Sequence, residues 1–241
     1  MTRLDRTRQL LPPEVIRMTW KAPRRWLPRS SEVLWVIGAI ALCDLAFAQT
    51  GPCKPVSQRT GEIGCWIIAS EPMGQLPQGP LYWHLDTYST RAAAEAAKGS
   101  QGTVAEGLGK VWLFTIAGTG WRPTGGVRVA EIGPLPVRSD ATYTARYMEG
   151  INTPGTTAPI HRHPGPEAWY TQSGETCFET PQGRVVGRAG GEYVVVPEGL
   201  PMHFVAAGSE TRRALGLVLH DSTKPDVTPA PDWTPKGLCK S

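Results

Sequence analysis

The sequence predicts an all-β protein with one short helix, and two observations support this fold class. Gly and Pro are abundant, with 27 and 23 among 241 residues, which suits many short strands joined by turns. From residue 143 onward, short apolar stretches alternate with Gly and Pro at the spacing of a sandwich or barrel. The 40% of apolar and 19% of charged residues are typical of a globular protein that can bury a core.

The first half of the chain combines the predicted helix with four strands. Residues 91–98 (RAAAEAAK) predict the helix, which Thr90 can cap and Gly99 can end in the left-handed conformation. Because so short a helix is marginal in water, we expect it to dock on the strands. The strands are predicted at residues 65–70, 81–88, 110–117 and 127–132.

The second half predicts eight strands in one barrel or sandwich. They fall at residues 143–148, 158–163, 167–172, 175–180, 184–186, 192–196, 202–205 and 212–220. The predicted domain organisation is therefore a leader at 1–48, an α+β extension at 49–140, a β-domain at 141–222 and a surface tail at 223–241.

The leader is predicted to be a secretory signal peptide. Its apolar run at residues 33–43 is too short to span a bilayer, which takes roughly 20 residues. Basic residues precede this run, and Ala46 and Ala48 supply the small-x-small pattern of a cleavage site. Met18 is a possible true start. An uncleaved membrane anchor and a buried helix remain alternatives; the signal peptide predicts a periplasmic or secreted protein.

Cleavage would change the charge and the cysteine count. The leader holds eight of the 25 Lys and Arg and four of the 21 Asp and Glu, which leaves 17 of each. A neutral mature chain gives no reason to expect a nucleic-acid partner or stable membrane insertion. In an exported protein the remaining Cys53, Cys65, Cys177 and Cys239 suggest disulfides with three possible connectivities, of which Cys53–Cys65 is the most natural pair.

The stretch GTTAPIHRHPGPEAWYTQSGE carries three candidate metal ligands. His161 and His163 stand at i and i+2, so on a strand their imidazoles face the same way. The sequence Pro-Gly-Pro then breaks the strand and lets Glu167 re-enter toward the same space. Imidazoles and a carboxylate together suit Mn, Fe, Ni, Cu or Zn.

A second stretch, GEYVVVPEGLPMH, supplies a fourth candidate ligand. Its valine run predicts a buried strand, the following turn reverses the chain, and His203 opens the next strand. Three histidines and one glutamate leave positions open on a five- or six-coordinate ion, as a catalytic site requires.

These two stretches resemble the two motifs of the cupin superfamily. The second motif, G-x5-P-x-G-x2-H-x3-N, lacks its final asparagine, because Ala207 stands there; that position is not a ligand in the family. The match covers residues 143–220, and the chain also resembles exported bacterial single-cupin-domain proteins of uncharacterised function. The matching residues are Gly155, His161, His163, Glu167 and Gly174 in the first motif, G-x5-H-x-H-x3–4-E-x6-G, and Gly191, Pro197, Gly199 and His203 in the second.

The resemblance implies a cupin jelly-roll barrel, or double-stranded β-helix, with one divalent transition metal (Mn, Cu, Zn, Ni or Fe) in its mouth. Residues 49–140 would then form an N-terminal extension containing the helix and a few strands. A second cupin of this kind is excluded there, because His84 is the only histidine between residues 49 and 150. By analogy with the family, a homodimer is possible.

Neighbouring residues receive more modest interpretations. Trp169 and Thr171 share the parity of Glu167, so we expect them to line the pocket, whereas Tyr170 should face outward. His84 is interpreted as an aromatic-interface residue. His220 is interpreted as a strand-end residue or one that orients a ligand.

Two function classes follow. The first is a metal-dependent enzyme acting on a small organic molecule, of the oxygenase, isomerase or decarboxylase type. The alternative is a non-catalytic protein that binds a metal or a small anionic ligand. An acid or base inside the pocket beyond the ligands would favour the enzyme, and Glu175 and Glu179 are the candidates whose facing the sequence leaves open.

Overall fold

Fifteen strands, one α-helix and one short 3-10 helix make up residues 53–240, the part of the chain that the computed structural model describes. The predicted all-β class with one short α-helix is confirmed. The predicted signal peptide lies outside these residues. Within residues 53–240, no helix is long and apolar enough to span a membrane.

The elements follow one another in this order. The first half contains β1 (Lys54–Pro55), the 3-10 helix (Val56–Gln58), β2 (Gly64–Gln75), β3 (Leu81–Tyr88), α1 (Arg91–Ala97), β4 (Gly102–Gly107), β5 (Lys110–Gly118) and β6 (Val127–Leu135). The second half contains β7 (Thr142–Asn152), β8 (His161–Arg162), β9 (Glu167–Ser173), β10 (Glu175–Thr180), β11 (Gly183–Arg188), β12 (Val194–Val196), β13 (His203–Ala207), β14 (Arg212–Asp221) and β15 (Thr228–Pro229).

A six-stranded sheet in the order β1-β2-β7-β14-β9-β12 is the centre of the fold. A three-stranded sheet, β11-β10-β13, faces one side of it, and a four-stranded sheet, β4-β5-β3-β6, covers the other. A two-stranded sheet pairs β15 with β8. The result is a jelly-roll whose two sheets enclose a cavity, with a third layer packed outside.

Strand β7 illustrates how the central sheet serves two cores. Tyr143, Ala145 and Tyr147 point into the outer core, where Tyr147 stacks on Phe114 of β5 at 4.7 Å between ring centroids. Met148 belongs to the inner core, shared with the three-stranded sheet. Both faces of this sheet are therefore buried, which explains the uninterrupted apolar stretch at residues 214–219 of β14.

The helix is confirmed, but its predicted C-terminal signal is wrong. The Thr90 hydroxyl accepts a hydrogen bond from the Ala93 amide at 3.1 Å, as a capping residue should. The chain then leaves the helix at Lys98 in an extended conformation, with φ −72° and ψ 133°. Gly99 is not left-handed, because its carbonyl instead accepts from the Gly102 amide in the turn that begins β4.

Strand β2 is twelve residues long instead of the predicted six, whereas β8 is only two residues long instead of the predicted six. Pro159 and Pro164 flank it and lack the amide hydrogen that a longer ladder would need. The predicted boundary between residues 140 and 141 stays a prediction; β2 of the predicted extension pairs with β7 and so belongs to the central sheet.

Two disulfides close the fold. Cys53 is bonded to Cys65, as predicted, and Cys177 of β10 is bonded to Cys239 in the tail. Glu179 of β10 accepts hydrogen bonds from the amides of Lys236 and Leu238, which fixes the tail beside the three-stranded sheet.

Candidate metal site

Three of the four predicted ligands converge at one end of the cavity between the two jelly-roll sheets. His161, His163 and Glu167 offer ligand atoms that all lie within 4.8 Å of one another. The His163 and Glu167 side chains are buried, whereas His161 is partly exposed. A mononuclear site therefore fits between these three side chains.

The Pro-Gly-Pro turn brings Glu167 back beside the histidines. The Asp221 amide donates to the Pro164 carbonyl at 2.8 Å, and the Leu219 amide donates to the Pro166 carbonyl at 3.0 Å, so the turn lies against β14. A Cβ atom on Gly165 would come within 1.9 Å of the Leu219 carbonyl oxygen. Only glycine allows so close an approach, and this contact fixes where β9 begins.

Backbone carbonyls orient both imidazoles. His161 Nδ1 lies 2.7 Å from the Pro159 carbonyl oxygen, and His163 Nδ1 is hydrogen-bonded to the Asp226 carbonyl oxygen. Because a carbonyl only accepts, Nδ1 donates in both contacts, and in the neutral form of such an imidazole the lone pair lies on Nε2. This arrangement is typical of histidines that bind metal ions.

Glu167 presents one free oxygen to the site. Its Oε1 accepts a hydrogen bond from the Trp169 indole at 2.7 Å, whereas its buried Oε2 has no hydrogen-bond partner among the described residues. Oε2 lies 3.5 Å from His163 Nε2. Burial lowers the pKa of His163 to about 4, so this imidazole is neutral at pH 7. Two imidazole nitrogens and one carboxylate oxygen fit a borderline divalent metal.

The fourth predicted ligand, His203, does not join this group. Its neighbours Met202 and Phe204 both belong to the inner core, so alternation along β13 directs the His203 side chain to the opposite face. There it lies beside Glu179, whose charge opposes the lowering of the His203 pKa by burial. A role for His203 as fourth ligand stays a prediction.

Trp169 and Thr171 lie on the inner face of β9, and Tyr170 faces the outer core, where it contacts Trp112. Trp169 lines the cavity. Thr171 lies deeper, 1% exposed, and its hydroxyl is 2.7 Å from that of Thr176; it is not a lining residue.

The cavity has a volume of about 270 Å³ and mostly apolar walls. Trp169, Phe178 and Phe204 supply aromatic surface, and Met148 and Val218 supply aliphatic surface. The candidate metal ligands occupy one end. Such a combination of apolar walls with a few polar groups is usual for a small-molecule site.

The closing segment, residues 222–230, covers the ligand end of the cavity. Its strand β15 pairs with β8, which places Pro229 opposite His161. Asp226 forms an ion pair with Arg146 of β7 and supplies the carbonyl that orients His163. The segment therefore restricts access of water to the candidate ligands.

Sequence reasoning missed three charged groups that line the cavity: Arg146, Asp226 and Arg212. Of these, Arg212 is 1% exposed. A signal for it was present. In the strand RRALGLVLH, Arg212 has the same parity as the inward-facing Ala214 and Val218. Strand alternation therefore predicts that its charged side chain is buried on the inner face of the sheet.

The remaining titratable candidates lie elsewhere. Glu175 pairs with Arg188 at 2.9 Å and Glu179 holds the tail, so neither lines the cavity. His84 is fully buried in the outer sheet, where its Nδ1 accepts from Arg128 at 2.7 Å. His220 is close enough to His163 to lower its pKa, and His220 Nε2 has no hydrogen-bond partner within residues 53–240.

Comparison with known proteins gives matches to solved structures alone: no protein-family model matches the sequence, and no curated protein matches it. A cupin-like protein from Thermotoga maritima is 16% identical over 36% of this chain and 64% of its own, with a TM-score of 0.32. A DMSP lyase from Ruegeria pomeroyi is 23% identical over 41% of this chain and 46% of its own, with a TM-score of 0.29.

A third similar structure is an oxalate oxidase in complex with the substrate analogue glycolate. It is 24% identical over 36% of this chain and 45% of its own, with a TM-score of 0.27. The chain thus spans less than two thirds of the length of each of these three proteins. In the chain itself, the strands that carry both predicted motifs enclose one cavity. The protein has a cupin fold.

In this fold, the second predicted motif supports the first. Gly199, in the turn before β13, has a φ of +75°, which favours glycine, and its amide donates to the His163 carbonyl at 2.9 Å. His161 and Met202 exchange two backbone hydrogen bonds, 2.8 and 3.2 Å long. The second motif therefore positions the main chain of both histidines of the first.

Proposed function

We propose that this cupin holds one divalent transition metal through His161, His163 and Glu167 and uses it to bind and transform a small organic molecule in the adjoining cavity. The observation that carries the proposal is the free Oε2 of Glu167, buried beside two imidazoles whose Nδ1 atoms are fixed by carbonyls. A buried carboxylate oxygen without a partner is costly, and a metal ion would compensate it.

A divalent ion bound here would supply Lewis-acid chemistry at a carboxylate, carbonyl or enolate oxygen, which suits an oxygenase, isomerase or decarboxylase. The chain's own contribution is positional. Trp169 holds Glu167, the Asp226 carbonyl holds His163, and the closing segment limits the entry of water.

A non-catalytic binding protein is the second candidate, and one observation favours it. Glu175 and Glu179, the two acids that would have supported catalysis from inside the pocket, are engaged outside it. Asp226 lines the cavity but is paired with Arg146. In this candidate the same metal and cavity would capture a small anion.

Elemental analysis tests the metal proposal. Protein isolated without chelators should carry about one transition-metal ion per chain, and His161→Ala combined with His163→Ala should remove it. His84→Gln is the matched control, because His84 is a buried histidine of the outer sheet and its loss should leave the metal in place. A metal-free wild type that also takes up none of the five candidate metals would rule the proposal out.

The His203→Ala variant decides the size of the ligand set. Loss of the metal from this variant would support four ligands and a rotation of His203 away from Glu179. Retention of the metal at unchanged affinity would support the three-residue site.

A further inference from the structure

A buried guanidinium that forms no ion pair lines the same cavity as the candidate ligands. Arg212 is 1% exposed, its Nε donates to the Thr176 hydroxyl at 2.6 Å, and its Nη1 donates to the Asn152 side-chain oxygen at 2.8 Å. Both partners are neutral. Its Nη2 is buried and has no hydrogen-bond partner, and no carboxylate of the described residues lies within ion-pair distance of it.

Aromatic rings hold this guanidinium in place. It lies 4.3 Å from the ring centroid of Trp169 and 4.7 Å from that of Phe204, both of which line the cavity. Such contacts stabilise a cation but leave its in-plane N–H groups free to bind an acceptor. Burial lowers the pKa of Arg212 only to about 9, so the group remains a cation at neutral pH.

The surrounding backbone makes room for this arrangement. A Cβ atom on Gly150 of β7 would approach Arg212 Nη1 to 2.6 Å, and one on Gly216 of β14 would approach the Trp169 ring to 2.7 Å. The two glycines thus allow Arg212 and Trp169 to stack inside the sheet. The charge of Glu167 favours the Arg212 cation but forms no ion pair with it. Because a buried cation without an ion pair costs stability, the position of Arg212 indicates an anionic ligand.

The charges that line the cavity indicate the sign of that ligand. Arg146 and Asp226 form an ion pair and compensate each other, which leaves Glu167 and Arg212. A divalent metal at Glu167 would therefore leave the cavity with an excess of positive charge. The remaining walls of the cavity are aromatic and aliphatic.

We propose that Arg212 binds the carboxylate of a small organic acid whose apolar body lies in the cavity, against the aromatic walls that Trp169 and Phe178 supply. The contact between this ligand and a metal rests on the proposed function, whereas its contact with Arg212 does not require a metal. The donor is Nη2, which has no hydrogen-bond partner among the described residues and becomes accessible to a carboxylate oxygen after a small shift of the side chain; no covalent step is involved.

Calorimetric titration of the EDTA-treated protein tests whether Arg212 binds a carboxylate. Three acid–amide pairs are compared: acetate and acetamide, benzoate and benzamide, and phenylacetate and phenylacetamide. At least one acid should bind about tenfold or more tightly than its amide, because only the carboxylate pairs with Arg212. Reloading the metal should increase the affinity for that acid further.

Two variants isolate the guanidinium. Arg212→Met removes the charge, and Asn152→Asp supplies an internal carboxylate at the position that now accepts from Nη1; each should abolish the preference for the acid. Asn152→Asp retains Arg212 and its packing, so it serves even if Arg212→Met fails to fold. Arg213→Met, which changes a partly exposed neighbour that is ion-paired with Glu62, is the control and should leave binding unchanged.

The proposal is overturned if no acid binds more tightly than its amide, or if Asn152→Asp keeps the wild-type preference. Metal content is measured on the same samples. A wild type that never holds a metal defeats the proposed function, whereas the difference between acid and amide still tests Arg212 independently.

Discussion

Each candidate ligand is held by a hydrogen bond at one of its atoms, which leaves a second atom of the same side chain available to an ion. Carbonyl oxygens fix the Nδ1 protons of His161 and His163, and the Trp169 indole occupies one oxygen of Glu167. This preorganisation reduces the entropy lost when an ion binds. The buried imidazole of His163 is neutral at pH 7, so its protonation in acid should destabilise the folded protein.

We predict that the metal-free protein loses stability in acid through His163. The pKa of His163 is about 4 when folded and 6.5 as the ordinary value, so the unfolded chain binds more protons between these pH values. Its contribution is fully present above pH 6.5 and is lost as the pH falls toward 4. At pH 5 we expect a loss of about 2 kcal/mol, measured by urea unfolding at pH 7.5 and pH 5.

The matched variant is His163→Gln, which cannot titrate. Other buried histidines shift in the same direction, including His84 and His220, so the variant should keep part of the pH dependence. An equal loss of stability between pH 7.5 and pH 5 in both proteins would contradict the assignment to His163.

At the scale of elements, two C-terminal segments complete the jelly-roll. The closing segment pairs with β8 at the candidate ligands, and the tail beyond it is attached to β10 by the Cys177–Cys239 disulfide and by Glu179. Neither segment has the alternating pattern of a central strand. Their positions depend on single contacts rather than on a long ladder.

We predict that Cys177→Ala combined with Cys239→Ala lowers the free energy of unfolding by about 2–4 kcal/mol, because the bond closes a loop with a sequence separation of 62. Urea unfolding measures the change. The metal content should persist, since the candidate ligands lie in the cavity and not beside this disulfide. Simultaneous loss of the metal would show that the tail also shapes the site.

At the scale of the molecule, the central sheet joins two cores. Leu215 and Leu217 of β14 pack in the outer core, whereas Ala214 and Val218 of the same strand pack in the inner core. Disruption of the outer core should therefore reach the cavity. The described residues should unfold as one cooperative unit.

We predict that Phe114→Ala lowers the free energy of unfolding by about 3–5 kcal/mol, because Phe114 is fully buried and stacked on Tyr147. The opening free energy measured by hydrogen exchange should then fall by the same amount at amides of β10 and β13, although these strands lie on the far side of the central sheet. Val127→Ala, at a residue that is 67% exposed, is the control. Unchanged protection of β10 and β13 would indicate two independent units.

The sequence alone determined the fold class, the helix at Arg91–Ala97, most of the longer strands, the Cys53–Cys65 bond and the pairing of two histidines with Glu167 in one cluster. These features follow from local rules. Strand alternation places His161 and His163 on one side, and the Pro-Gly-Pro turn must reverse the chain before Glu167. The parity of Trp169 with Glu167 likewise places it in the cavity.

Only the tertiary structure decided what those rules leave open. The left-handed end predicted for Gly99 gave way to the turn that begins β4, and β8 was shortened by its flanking prolines. The side on which His203 lies depends on how β13 packs against β10. That Arg212 Nη2 lacks a hydrogen-bond partner among the described residues is visible only once β7, β9 and β14 are assembled, because the groups around it come from distant parts of the chain.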